Sequence, residues 1–243
     1  MPPSTTIQET GFPPRPVDLR LYAILDPERA RGRPLPDLAL AAIDGGVTLL
    51  QYRDKYADTR RLVANARAIR EAVAGRGVPL LINDRIDVAL AAGADGVHVG
   101  QDDMTPADAR RLLGGEAIVG LTLNNVEEAA AAAREPIDYG CIGGVFATSS
   151  KTDAKPPIGL DGLAAVAAAA RGHAAHLPIA AISGIDETNA AAVIAAGAEG
   201  VSVISAIFMA DDVAEAARRL RAIVDHSLAA LGHQGDLTPE DRP

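Results

Sequence analysis

The chain has 243 residues, 48% hydrophobic and 23% charged, so it carries enough apolar material for one large core or two small ones and is not disordered as a whole. Lys and Arg number 23 against 32 Asp and Glu, and the formal charge of -9 disfavours general binding to nucleic acid or anionic membranes; any anionic ligand has to be held locally. The one cysteine, Cys141, cannot close an intramolecular disulfide and no Cys/His cluster has metal-ligand spacing, which excludes a disulfide scaffold or zinc domain and fits a reducing cytoplasm.

Residues 1–18 contain five prolines and no strand or helix period, and they read as an N-terminal tail without the cationic start and apolar stretch of a secretory signal. A body follows over 19–231, a single domain in which short β-rich runs recur at 19–25, 47–51, 78–83, 96–99, 117–122, 139–142, 177–182 and 200–204. Between them lie Ala- and Arg-rich segments with helical stripes, such as Leu62, Ala66, Ile69 and Val73, or Val213, Ala217, Leu220 and Val224. Junctions such as Ala92-Gly93-Ala94-Asp95-Gly96-Val97 and Ala196-Gly197-Ala198-Glu199-Gly200-Val201 place Gly where a helix ends in the left-handed conformation before a strand. The polar residues 232–243 read as a C-terminal tail, and no run of about 18 apolar residues marks a membrane span.

Eight alternations of helix with strands apolar on both faces call for a parallel sheet covered by helices. In a body of this length the closed (β/α)8 TIM barrel, an α/β fold, fits best. An open doubly wound sheet is the alternative, but no G-x-G-x-x-G follows the first strand.

In such a barrel the chemistry sits where the strands end at their C-terminal side. Strand two runs into Gln51-Tyr52-Arg53-Asp54-Lys55, strand three into Asn83-Asp84-Arg85, and strand four into Gly100-Gln101-Asp102-Asp103. Lysine is scarce, occurring only as Lys55, Lys151 and Lys155, and two of the three follow strand ends. Arg53, Lys55 and Lys151 would therefore converge on one mouth as an anion site, where each alone would read as a solvated loop charge. Asp84 and Asp103 follow neighbouring strands; beside a polyphosphate they suit Mg²⁺, which takes oxygen ligands, and otherwise they would pair with Arg85 or Arg53. Thr148-Ser149-Ser150, Ser183-Gly184 and Ile204-Ser205 offer hydroxyls and backbone N–H groups near strands six to eight, a frequent monophosphate site. His98 is expected to hydrogen-bond inside or beside the barrel. His173, His176, His226 and His233 fall on helical or tail segments, and Cys141 reads as a small core residue.

Taken together, Gln51-x-Arg53-x-Lys55, Ile82-Asn83-Asp84, the run from Asp95 to Asp103, Thr148-x-Ser150-Lys151 and the run from Gly200 to Ile207 resemble the thiamine-phosphate synthase family. The resemblance implies a transferase that joins 4-amino-2-methyl-5-(hydroxymethyl)pyrimidine diphosphate to a thiazole monophosphate with loss of pyrophosphate, through a dissociative mechanism. It implies that Gln51, Arg53, Lys55, Asn83, Thr122 and Lys151 hold the pyrimidine diphosphate. Lys151, Arg53, Lys55 and Thr122 would serve the chemistry, and Asp84 and Asp103 would hold Mg²⁺. Thr148, Ser150, Gly184, Ile204 and Ser205 would hold the thiazole phosphate.

Four positions depart from the family pattern. Thr122 and Asn124 stand where Ser and His are usual, Gly144 replaces a Pro, and Ser183 replaces the first of a Gly-Gly pair. The competing readings are a thiazole tautomerase-like relative, a Schiff-base aldolase using Lys151, and a paralogue that binds phosphate ligands without turnover. The expected partners are small molecules, without nucleic acid or membrane, and a homo-oligomer is compatible with the sequence.

Overall fold

The structure, a computed structural model, describes residues 15–148, 156–173 and 177–235. Its centre is a closed barrel of eight parallel strands, each paired with the next and β8 with β1. The strands are β1 (Leu21–Leu25), β2 (Leu49–Tyr52), β3 (Leu80–Asn83), β4 (Gly96–Val99), β5 (Ile118–Leu123), β6 (Tyr139–Ile142), β7 (Ile179–Ile182) and β8 (Gly200–Val203). All eight lie within or overlap the runs read from sequence, and the closed pairing rules out the open sheet.

The helices are α1 (Leu35–Asp44), α2 (Thr59–Val73), α3 (Ile86–Ala92), α4 (Pro106–Leu113), α5 (Val126–Ala132), α6 (Gly159–His173), α7 (Ala190–Ala195), α8 (Ser205–Phe208) and α9 (Val213–Gly235). The stripe Leu62, Ala66, Ile69 and Val73 of α2 is buried, as is Val213, Ala217, Leu220 and Val224 of α9. At 3.6 residues per turn each set forms one face, and that face is what the helix lays on the barrel. Gly93 ends α3 at φ +68° and Gly197 follows α7 at φ +108°, conformations that a Cβ would disfavour.

Alternation along the strands splits the core in two. Leu21, Ala23 and Leu25 face the helices, whereas Tyr22 and Ile24 fill the barrel interior with Leu49, Leu81, Tyr139, Cys141 and Ile182. Cys141 is buried there, as expected.

The ends of the body differ from the boundaries read from composition. Val17 packs under the interior cluster, and the Arg15 N–H donates to Asp138 at 2.7 Å. Asp138 is fully buried and also takes hydrogen bonds from Val119 N–H and Arg110. Closing the barrel bottom uses these residues although they have no local period. At the other end α9 continues past 231 to Gly235. Among the described residues no helix is long and apolar enough to cross a membrane.

Candidate active site

Arg53 leaves the end of β2, its N–H bound to Leu25 O at 3.0 Å, and its guanidinium pairs with Asp26 at the end of β1. Both side chains are nearly removed from water, 13% and 4% exposed, so the cation is held by a partner rather than free in solvent. Asp26 was not singled out from sequence. Lys55, two residues on, pairs with Asp84 and is half exposed.

Asp84 follows β3 at φ +60°, fixed by its N–H on His98 O at 2.9 Å. Asp is one of the few side chains that tolerate this region, and such strain gathers at functional sites. Burial raises its carboxyl above the usual carboxylate value, and Asp103 adds to that by hydrogen bonding and repulsion, while Lys55 opposes both. Asp103 accepts the Gly100 N–H at 2.8 Å. Neither carboxylate is tied up by the arginines: Arg85 binds Asp87 and Thr59, and Arg53 binds Asp26. Asp84 and Asp103 bring carboxyl oxygens side by side, the hard donors that Mg²⁺ takes, so the residues fit Mg²⁺. Among the described residues no group of three or more His, Cys, Asp or Glu side chains is arranged to hold a metal, so waters and phosphate oxygens would complete the shell.

Arg53, Lys55, Asn83, Asp84, Asp103 and Thr122 share one cavity of about 390 Å³ at the barrel mouth. Gln51 does not line it. Its side chain is buried one layer deeper, against a space of about 50 Å³ shared with Arg53, Asn83, His98 and Thr122. Across the mouth, Thr148, Gly184, Ile204 and Ser205 line a small pocket of about 30 Å³ that shares Thr148 and Ser183 with the large cavity. Gly184 sits at φ +64°, and a Cβ there would lie 2.4 Å from Ala147 O and 2.8 Å from Phe146 Cβ. Ser183 adopts φ +94°, a glycine-like conformation, and its Oγ accepts the Gly144 N–H at 3.2 Å. Ser150 and Lys151 lie outside the described residues.

Asn124 points its side-chain amide at Glu128, 2.8 Å away, and Glu128 also takes the Asn124 N–H, tying this position to the start of α5. His98 lies inside the barrel as expected, between Tyr139 and Thr122. Gln101, on the cavity wall, donates to Thr122 O at 2.7 Å; the sequence placed it at the end of strand four without a role.

Known proteins are similar to this chain over most of its length. A curated relative from Agrobacterium fabrum named thiamine-phosphate synthase is 54% identical over 88% of this chain and 97% of its own. One of the same name from Chloroflexus aurantiacus is 51% identical over 86% of this chain and 94% of its own. Among solved structures, a thiamine phosphate pyrophosphorylase from Pyrococcus furiosus is similar with a TM-score of 0.76 and 35% identity, covering 87% of this chain and 98% of that one. Residues 21–207 match the family described as thiamine monophosphate synthase, and the chain belongs to that family.

Proposed function

We propose that this chain is a thiamine-phosphate synthase, a transferase that couples 4-amino-2-methyl-5-(hydroxymethyl)pyrimidine diphosphate with a thiazole monophosphate to give thiamine phosphate and pyrophosphate. The observation that carries the reading is the grouping, at one barrel mouth, of Arg53, Lys55 and the Asp84–Asp103 pair with a small Gly- and Ser-lined pocket across from them. A reaction between two anionic substrates needs two such places. The relatives' shared name favours this reading over the tautomerase and binding-only alternatives. Both substrates are water-soluble phosphates, and a cytoplasmic location belongs to the same reading.

In this assignment Arg53, Lys55, Asn83, Gln51 and Thr122 hold the pyrimidine diphosphate, with Lys151 added by resemblance alone. Thr148, Gly184, Ile204 and Ser205 hold the thiazole phosphate, with Ser150 again by resemblance. The bond between the pyrimidine methylene carbon and the diphosphate oxygen breaks with its electron pair on the leaving pyrophosphate. The thiazole nitrogen lone pair then closes a C–N bond on the carbocation. No side-chain nucleophile takes part, so the chain's contribution is placement and charge stabilisation. Arg53, anchored by Asp26, and Lys55 offset the charge that builds on the leaving group. Asp84 and Asp103 would hold Mg²⁺, which would further neutralise that charge.

The test mixes the purified protein with both substrates and Mg²⁺ and measures thiamine phosphate as its fluorescent thiochrome derivative, with pyrophosphate release and an EDTA control in parallel. Metal-dependent formation of the two products in equal amounts is expected. A folded protein that binds both substrates and yields no product would overturn the proposal.

A further inference from the structure

Asp84, Asp102, Asp103 and Glu128 are the acids on the wall of the large cavity among the described residues. The three aspartates follow β3 and β4, on the side where the diphosphate is assigned. Glu128 stands apart from them in the first turn of α5, and its bonds fix which way the Asn124 amide faces. The Asn124 backbone N–H donates to Glu128 Oε2 at 2.8 Å, so that oxygen is an acceptor. Asn125 Oδ1 takes the Glu128 backbone N–H at 2.8 Å, which leaves Asn125 Nδ2 to donate to Glu128 Oε1, also at 2.8 Å. With both carboxylate oxygens accepting, the Asn124 atom 2.8 Å from Oε2 can only be Nδ2, and the amide cannot turn over without setting oxygen against oxygen. The side chain of Asn125 caps α5, so the helix end is served without the Asn124 amide.

Asn124 Oδ1 is therefore turned from Glu128 toward Gly143, at the end of β6. A Cβ on Gly143 would lie 3.2 Å from that oxygen and 3.6 Å from Thr122 Cγ2, so glycine here leaves the oxygen uncovered. Thr122, Asn124 and Gly143 all line the cavity, and no donor among the described residues reaches Asn124 Oδ1. Strand order gives the place its meaning. The diphosphate groups stand at the ends of β2 to β4 and the small phosphate pocket at β7 and β8. The space joining them runs past Thr122, Asn124, Gly143 and Gly144 at the ends of β5 and β6. Atoms that react between two substrates anchored at those ends meet along this path.

We propose that Asn124 is a further catalytic residue whose Oδ1 faces the positive charge of the coupling step, and that Glu128 is the positioning residue that fixes the amide and places a negative charge behind it. The proposal rests on the synthase reading. When the methylene C–O bond breaks, both electrons leave with pyrophosphate and the methylene carbon becomes positive. When the thiazole nitrogen lone pair forms the C–N bond, that charge passes to the ring nitrogen and stays in the product. An amide oxygen backed by a carboxylate attracts the charge at both stages. A carboxylate set directly against the carbocation would capture it as an ester, whereas the interposed amide is the weaker nucleophile.

Two variants test it. Asn124→Leu keeps the shape and removes the oxygen, and Glu128→Gln keeps an acceptor for the Asn124 amide and removes the charge. Turnover should fall about 100-fold in the first and about 10-fold in the second, with KM for both substrates within about threefold of wild type, the pattern of an interaction made in the transition state. The readout that a structural role would not move is charge itself. Affinity for thiamine phosphate is measured against that for its thiophene analogue, in which carbon replaces the thiazolium nitrogen and the shape stays while the positive charge goes. The ratio of the two affinities should shift roughly 10-fold against the cation in Asn124→Leu, and by less in Glu128→Gln. A loosened fold would weaken both compounds alike. An unchanged ratio in either variant overturns the role given to that residue, as does wild-type turnover. A wild type that forms no thiamine phosphate from the two substrates sinks the synthase reading and this proposal with it, whereas normal product formation with unchanged ratios sinks the proposal alone.

Discussion

Removing the Asp26 carboxylate asks whether Arg53 is placed by its buried partner or by the loop it begins. In Asp26→Ala the guanidinium, 13% exposed, loses a counter-charge that is itself 4% exposed. Breaking a buried ion pair by deleting one partner costs about 3–5 kcal/mol, but Arg53 borders the cavity and can turn its head toward water, so roughly 2 kcal/mol is expected at this site. Asp26 also accepts the Glu28 N–H at 3.0 Å at the start of the 3₁₀ turn Pro27–Arg29, and losing that cap adds about 1 kcal/mol. At about 2–4 °C per kcal/mol for a chain of this size, the sum of roughly 3 kcal/mol lowers the melting temperature by about 6–12 °C. Asp26→Asn, which keeps an acceptor for the cap, should lose less than half as much. The kinetic effect should be larger than the stability effect, because displacing a positioned group by an ångström can cost about 100-fold. It should appear in kcat/KM for the pyrimidine diphosphate and leave KM for the thiazole phosphate unchanged. Circular-dichroism melts and steady-state rates with each substrate varied in turn provide both numbers. An alanine variant that melts within about 2 °C of wild type and keeps its kcat/KM would refute the reasoning.

Three further outcomes are expected. Asp84→Ala, and Lys151→Ala by the family resemblance, should each lower turnover about 100- to 1,000-fold, roughly 2.7–4 kcal/mol, with the melting curve intact; near-normal turnover in either contradicts its assignment. Gly184→Ala adds about 1–2 kcal/mol for a left-handed alanine and about 1–3 kcal/mol for the overlap with Ala147 O and Phe146 Cβ. Its signature is a raised KM for the thiazole phosphate alone, and an equal rise for both substrates would show that the pocket is not specific to one. Asp138→Ala breaks the buried pair with Arg110 at the opposite end of the barrel and should cost about 3–5 kcal/mol in chemical denaturation. KM values of the folded enzyme should stay at wild-type levels, and a changed KM would mean that the two ends of the barrel are coupled.

Element order and barrel closure were legible because both depend on period and composition. The strand runs are apolar on both faces, the helical stripes repeat at about 3.6 residues, and Gly93 and Gly197 mark the turns between them. That Arg53, Lys55, Asn83, Asp84 and Asp103 share one mouth was also legible, since a barrel brings its strand ends together whatever the details of packing. Partnership was not legible. Asp26 looks like any acid after a strand, and only the β1–β2 register sets it against Arg53, 27 positions away. Gln51 reads as a mouth residue, but the alternation of β2 turns its side chain into the interior, under the cavity rather than on its wall.

Tyr22 and Tyr139, separated by 117 positions, are in sequence two strand aromatics with nothing to distinguish them from core filler. Their hydroxyls meet because closing the sheet points both rings at the barrel axis, where Gly120 makes room. What the amino-acid order determined alone was local: where the chain extends, where it coils, and which charges stand at strand ends. What the tertiary structure decided was the pairing of buried polar groups. That choice depends on which side chains share a desolvated space, and only the closed barrel creates the space.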